Sequence, residues 1–250
     1  MITLQQDTIY MGTAAPASGG GGSSSIGIPR EVSAQGVYQI PTTSLTFSLP
    51  NDATDVGNYC LYYAFYNCTG LTSVDLSSLT TVSGSNCFDY AFNGCTGLTS
   101  IDLSSLTTVS GSNCFDYAFN DCTGLTSVDL SSLTTVSGSS CFSNAFRKCT
   151  GLTNIDLSSL TTVSGSSCFS NAFRNCTGLT DIYFRALTTS SFGTNTNQFT
   201  NLMQQTGTSV THTLHFPSNM QATIQTLSGY PLFGGTSGYL TLAFDLPATS

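Results

Sequence analysis

The chain has 250 residues, of which 7 % are charged, and its 13 acidic side chains outnumber 5 basic ones for a net charge of −8. That balance provides no basic patch for nucleic acid or for an anionic membrane surface. No run of about 18 apolar residues is present, so no membrane-spanning helix is expected.

Residues 1–43 read as an N-terminal anchoring arm. ITLQQDTIYMG suggests a small strand, and ASGGGGSSS (17–25) has the composition of a flexible linker. The first residues lack a basic segment followed by an apolar one, so no signal peptide is expected. An arm this poor in apolar residues needs a partner to order it.

From residue 44 to residue 190 the text is periodic. Cys60, Cys87, Cys114, Cys141 and Cys168 recur every 27 residues, and so do Cys68, Cys95, Cys122, Cys149 and Cys176. One unit reads CFDYAFNGCTGLTSIDLSSLTTVSGSN (87–113). Residues 44–59 form a degenerate first rung, with Phe47 and Leu49 in the places of Val74 and Leu76, and full repeats run from residue 60.

Each unit parses into three pieces. Cys87, Phe88, Ala91, Phe92 and Cys95 make an apolar stripe that predicts a short amphipathic helix, with Asn86 as N-cap and Gly97 as a left-handed C-terminal cap. Leu98-x-x-Ile101-x-Leu103 predicts a strand with Ile101 and Leu103 inward, and Ser100 and Asp102 outward. Leu106 and Val109 mark a further short extended segment before a turn at Gly111. One rung cannot bury its apolar side alone, so the expected architecture is a stack: an α/β solenoid with a parallel strand ladder and short helices.

The pattern A-F-x-x-C-x-x-L-x-x-I-x-L, as in Ala91–Leu103, resembles the BspA-like (treponemal-type) leucine-rich repeats of bacterial surface and phage proteins. The resemblance covers roughly residues 44–190 and implies a leucine-rich-repeat fold used for adhesion and display. Here the repeats are nearly identical and uniformly 27 residues long, where many relatives are shorter and carry a proline.

Residues 191–250 lose the strict period and read as irregular C-terminal rungs. NQFTNLMQQ then SVTHTLHFP predicts helix followed by strand, and YLTLAFDL (239–246) predicts a terminal capping strand with Leu240, Leu242, Phe244 and Leu246 inward.

Four groups could carry chemistry. The C-x7-C spacing in a linear stack does not converge on a metal. A bridge across eight helical residues would span about 12 Å, too far for a disulfide. Small buried thiols filling two core columns are the expectation, with disulfides between rungs as the alternative. Asp75, Asp102, Asp129 and Asp156 form an acid ladder, read as a solvated face with weak cation binding as the alternative. The repeated threonine pairs, such as Thr80 and Thr81, point to opposite faces and read as polar capping of the stack. His212 and His215 fall on opposite sides of a strand, with no nucleophile or acid tied to them by sequence.

The copies differ mainly on the predicted helix face. One column runs Tyr62, Asp89, Asp116, Ser143, Ser170; the next runs Tyr63, Tyr90, Tyr117, Asn144, Asn171; a third runs Tyr66, Asn93, Asn120, Arg147, Arg174. This grades from an aromatic patch through an acidic zone to a basic patch that includes Lys148. Tyr62, Tyr63, Tyr66, Asp89, Tyr90, Asn93, Arg147, Lys148 and Arg174 are therefore the candidate contact residues. The expected function is non-enzymatic, with no cofactor. It is a phage virion fibre or decoration protein whose arm (1–43) binds other virion proteins while the solenoid binds a host surface protein or glycan. The alternative is a secreted, BspA-like adhesin on a bacterial cell surface.

Overall fold

A computed structural model of the chain describes residues 3–5, 8–10, 45–49, 53–192, 197–204, 211–227 and 240–248. The linker at 17–25 and the segment leading into the repeats lie outside the described residues.

The repeats stack as a parallel β-solenoid. On one face runs a ten-stranded sheet. Its members are β1 (Thr3–Gln5), β2 (Thr8–Tyr10), β3 (Leu45–Ser48), β4 (Leu71–Asp75), β6 (Ser100–Asp102), β8 (Ser127–Asp129), β10 (Asn154–Asp156), β12 (Asp181–Tyr183), β13 (His212–Pro217) and β14 (Leu240–Leu246), in that spatial order. All pairings are parallel except the antiparallel β1–β2 hairpin. The first residues of the chain therefore form the N-terminal edge of this sheet, with β2 paired on β3. A second face carries the two-residue strands β5 (Thr81–Val82), β7 (Thr108–Val109), β9 (Thr135–Val136) and β11 (Thr162–Val163).

The period sets the register. Ser73 pairs with Ser100, Val74 with Ile101 and Asp75 with Asp102, and the same offset repeats down the ladder. Phe47 stands beside Val74, where the degenerate first rung puts it. Like residues thus stack on like. Phe88, Phe115, Phe142 and Phe169 form one buried ring column with neighbouring centroids 4.8, 5.0 and 5.3 Å apart. Phe92, Phe119, Phe146 and Phe173 form another, at 5.2, 5.4 and 5.6 Å. Each fully buried phenylalanine contributes about 1.5–3 kcal/mol relative to exposure.

The third face differs from the expected short helix. Residues 86–95 are a chain of tight turns with no helical hydrogen bonds. The amides of Asp89, Ala91, Asn93 and Cys95 donate back three residues, to the carbonyls of Asn86, Phe88, Tyr90 and Phe92. The alternate amides of Phe88, Tyr90, Phe92 and Gly94 donate across to the next rung, to Cys114, Asp116, Ala118 and Asn120, at 2.8–3.0 Å. Every fourth residue reverses the chain with a left-handed φ: Asn86 at 53°, Tyr90 at 55° and Gly94 at 74°. An α-helix would satisfy its amides internally, whereas here half of them tie rung to rung. Asn86 is accordingly not a helix N-cap.

Gly97 is not a left-handed cap either, since Gly94 is the only described glycine with positive φ. Gly97 is required by contact instead, because a Cβ there would lie 2.2 Å from the Thr69 carbonyl oxygen. The predicted helix at 197–204 is again a set of turns, and they accept amides of the preceding rung, such as Phe173 N–H to the Leu202 carbonyl at 2.9 Å. Helix is confined, among the described residues, to a 3-10 turn at Ser218–Met220 and the single turn α1 (Gln221–Ile224). β14 closes the stack, with Leu240, Leu242 and Phe244 packed against the core and Leu246 buried.

Candidate contact surface

No disulfide joins any of the ten cysteines, and eight are buried. The sulfurs have a specific task. Cys114 Sγ donates to the carbonyls of Gly111 and Gly84 at 2.8 and 3.1 Å, and Cys141 repeats this on Gly138 and Gly111. No backbone amide reaches the Gly84, Gly111 or Gly138 carbonyl among the described residues. In the second column Cys95, Cys122 and Cys149 donate to the phenylalanine carbonyl of the rung before, each at 3.1 Å. Burial pushes Cys122 and Cys168 up to about 12, which leaves the thiolate unpopulated and the sulfur unreactive.

The sheet face is uniform. Asp75, Asp102, Asp129 and Asp156 do stack in adjacent strands. Each turns one oxygen inward to accept the amide of the serine two residues on, at 2.8–3.0 Å. The ladder therefore serves its own turns. The Ser77 hydroxyl and amide hold Asp75 below the usual carboxylate range. No group of three metal-ligating side chains occurs among the described residues. A shallow groove on this face is lined by the repeated serines and aspartates, such as Ser73, Asp75, Ser100 and Asp102. The threonine hydroxyls point along the stack, as where Thr107 Oγ1 donates to the Thr80 carbonyl at 2.9 Å.

At the C-terminal end the sheet face changes character. His215 is clamped between two carboxylates: Nε2 lies 3.1 Å from Asp181 and Nδ1 lies 2.9 Å from Asp245, which joins β12, β13 and β14. Its ring stacks on Tyr183 at 4.3 Å. Partial burial acts to lower the His215 pKa, but the two aspartates outweigh it and hold the group above its ordinary value. This cluster escaped the sequence reading because its acids lie 34 residues before and 30 residues after the histidine. His212 faces inward, is buried, and meets the Leu179 carbonyl through Nδ1.

Variation concentrates on the turn face. Taking the turn segments from 59–68 to 167–176 as rungs one to five, rung one carries Tyr59, Tyr62, Tyr63 and Tyr66. Tyr62 is 45 % exposed and Tyr66 40 %. Tyr63, Tyr90 and Tyr117 stack with centroids 4.7 Å apart and planes within 11°. All three have left-handed φ of 51–55°, a conformation that asparagine adopts in rungs four and five at Asn144 and Asn171. Left-handed backbone costs a bulky residue about 1–2 kcal/mol and asparagine less. The tyrosines are therefore not there to ease the backbone.

Asp89 and Asp116 follow in rungs two and three, half-buried, each with Oδ1 buried and without a hydrogen-bond partner. Burial, reinforced by the Asp116 charge, pushes Asp89 up to about 7. Burial also raises Asp116. Arg147, Lys148 and Arg174 occupy rungs four and five, half-buried. Lys148 pairs with Asp121 across the rungs at 3.4 Å. Neither arginine has an ion pair among the described residues, and both Nε atoms are buried without a partner. One expected contact residue presents little surface: Asn93, between Tyr66 and Asn120 in its column, is only 8 % exposed.

The profile of the BspA type leucine rich repeat region matches six copies, over residues 31–145, 63–171 and 116–216. The chain belongs to the BspA-type leucine-rich repeat family. Among solved structures it is similar to the leucine-rich repeat protein TpLRR of T. pallidum, at 24 % identity over 60 % of this chain and 73 % of that one, with a TM-score of 0.36. It is also similar to a leucine-rich repeat protein of Bacteroides ovatus, at 14 % identity over 79 % and 83 % of the two chains, with a TM-score of 0.20. No curated protein sequence matches it. BspA-type repeats are a binding scaffold, and the present chain is compatible with a binding or adhesion role.

Proposed function

We propose that this BspA-type solenoid is a non-enzymatic attachment and display protein whose contact surface is the turn face. The observation that carries this reading is the tyrosine column. Tyr63, Tyr90 and Tyr117 keep an aromatic side chain at a left-handed position where the neighbouring copies use asparagine. Beside them Tyr62 and Tyr66 stand out into solvent. Tyrosine and arginine are the residue types that dominate binding energy at interfaces, and both occur here on the one face that varies. The candidate contact residues are Tyr62, Tyr63, Tyr66, Asp89, Tyr90, Arg147, Lys148 and Arg174.

A phage virion fibre or decoration protein is the favoured setting. Ten cysteines with no disulfide among them suit folding in a reducing cytoplasm, as for a particle assembled inside its host. In that setting residues 1–43 contact other virion proteins and the solenoid meets a host surface protein or glycan. The alternative is a secreted bacterial surface adhesin. Immunogold labelling with antibody to this chain separates the two: label on purified particles supports the virion, and label on intact bacterial surfaces supports the adhesin. For the surface itself, Tyr62→Ser with Tyr63→Asn installs residues already present in rungs four and five. The variant should fold normally and lose attachment to the labelled target. Unchanged assembly and unchanged attachment would overturn the proposal.

A further inference from the structure

The order of charges along the turn face has a symmetry that the attachment reading leaves unused. Rungs two and three are acidic, through Asp89, Asp116 and Asp121, and rungs four and five are basic, through Arg147, Lys148 and Arg174. These three basic residues are more than half of the five in the whole chain. Yet of these three only Lys148 has a carboxylate in reach among the described residues; the two arginines sit in register in successive rungs, where they repel each other. In a chain of net charge −8 with 13 acids, stacking two unpaired arginines on one face has no folding rationale.

We infer that the turn face pairs with the turn face of a second copy of this chain, the two solenoids running in opposite directions. The inference rests on the reading of that face as a contact surface and names its partner. Two copies can meet face to face about a two-fold axis in only two ways. With the rungs running in the same direction, acid meets acid and arginine meets arginine. With the rungs reversed about the gap between rungs three and four, rung two lies over rung five and rung three over rung four, so the acidic half of each copy faces the basic half of the other. Rung one then lies over the turns at 197–204 of its partner. A two-fold interface is self-complementary, so each such contact is made twice.

The shape of the face permits the match. The rungs step identically in both copies, with Tyr90 and Tyr117 4.7 Å apart on this face, so a match made at one rung carries to the next. The area covered is on the order of 1,000 Å² in total, the lower end for a specific interface. The pairing is accordingly weak and reversible, steered by charge, and weakened by salt.

The test uses the full chain and sedimentation velocity across a concentration series. An acidic variant carries Ser143→Asp, Arg147→Asn, Lys148→Asp and Arg174→Asn. A basic variant carries Asp89→Ser, Asp116→Ser, Asn120→Arg and Asp121→Lys. Each change imports the residue that another rung already holds at the same position, apart from the added charge-matched copies, so the stack should persist; unchanged circular dichroism checks this. The parent should show a concentration-dependent monomer–dimer equilibrium that weakens between low and high salt. Each variant alone should associate about tenfold more weakly or worse. An equimolar mixture of the two should form the heterodimer. A parent that stays monomeric at all concentrations overturns the inference. So does a dimer that survives in both variants, or a mixture that fails to associate. Loss of target attachment in Tyr62→Ser with Tyr63→Asn, alongside a monomeric parent, would leave the contact face standing and remove only the second copy.

Discussion

Gly111 and Gly57 occupy the same column of the solenoid, and the same substitution should have opposite consequences at the two sites. A Cβ at Gly111 would lie 2.1 Å from the Gly84 carbonyl oxygen, 2.5 Å from the Gly84 carbonyl carbon and 2.7 Å from the Ser83 oxygen. All three are backbone atoms of the rung above, so no rotamer change relieves the clash. Reaching an ordinary contact of about 3.4 Å means opening the two rungs by more than 1 Å. That stretches the bonds that Ser110 and Gly111 donate to the Val82 carbonyl, now 3.0 and 3.3 Å, beyond hydrogen-bond range. It also strips the Gly84 carbonyl of the Cys114 thiol at 3.1 Å. Losing two or three such bonds plus local packing predicts a cost of about 3–5 kcal/mol for Gly111→Ala. At Gly57 nothing lies within 4 Å, because the column begins there. Gly57→Ala should be neutral or stabilise by about 0.5 kcal/mol, through the unfolded chain. Urea unfolding of the two variants beside the parent, compared by midpoint, measures the difference. Equal midpoints for both variants would refute the close-approach account of this column.

Three further outcomes follow from buried and half-buried groups. Ellman's reagent should find at most Cys60 and Cys68, both half-buried, in the folded protein, and the remaining eight thiols only after denaturation. Rapid labelling of all ten would contradict the buried columns. Asp89 titrates near 7 when folded against 3.8 ordinarily, so the folded state keeps a proton that the unfolded chain releases. Stability should therefore fall as pH rises between about 4 and 7, and Asp89→Asn should be the more stable protein at pH 8 and no better at pH 4, by thermal melting. His215 is held above its ordinary 6.5, so its contribution is complete below that pH and fades as pH rises through the folded value. His215→Gln should loosen the end of the sheet at pH 6 and change little at pH 9, as read by hydrogen exchange of β13 and β14.

Much of the architecture was legible because the repeat is nearly exact. A 27-residue period with Leu98-x-x-Ile101-x-Leu103 dictates stacked parallel strands, and the ladder pairs Val74 with Ile101 and Ile101 with Val128 accordingly. The misreading lay at 86–95. Cys87, Phe88, Ala91, Phe92 and Cys95 recur with a period of four, two in and two out, where a helix drifts at 3.6. The strict period of four, with Asn86 and Gly94 at its corners, was the available signal for consecutive turns. Tyr90 hid it, because a bulky aromatic is not expected at a left-handed position. The column order of the varying residues was correctly readable, since position within the repeat fixes position in space. Their burial was not: nothing in the text distinguishes the buried Asn93 from the half-buried Arg147 in the same column. The His215 clamp lay beyond reach for the reason that β14 joins the sheet through contacts outside the period.

Tyrosine footprinting tests directly which face of the solenoid makes contacts. Tyr62 and Tyr66 report the turn face, while Tyr183, 36 % exposed, reports the sheet face. Hydroxyl-radical labelling of the full chain, dilute and then at a concentration where it associates, should reduce modification of Tyr62 and Tyr66 and leave Tyr183 unchanged. Protection of Tyr183 with Tyr62 and Tyr66 still fully labelled would place the contact surface on the sheet and contradict the account.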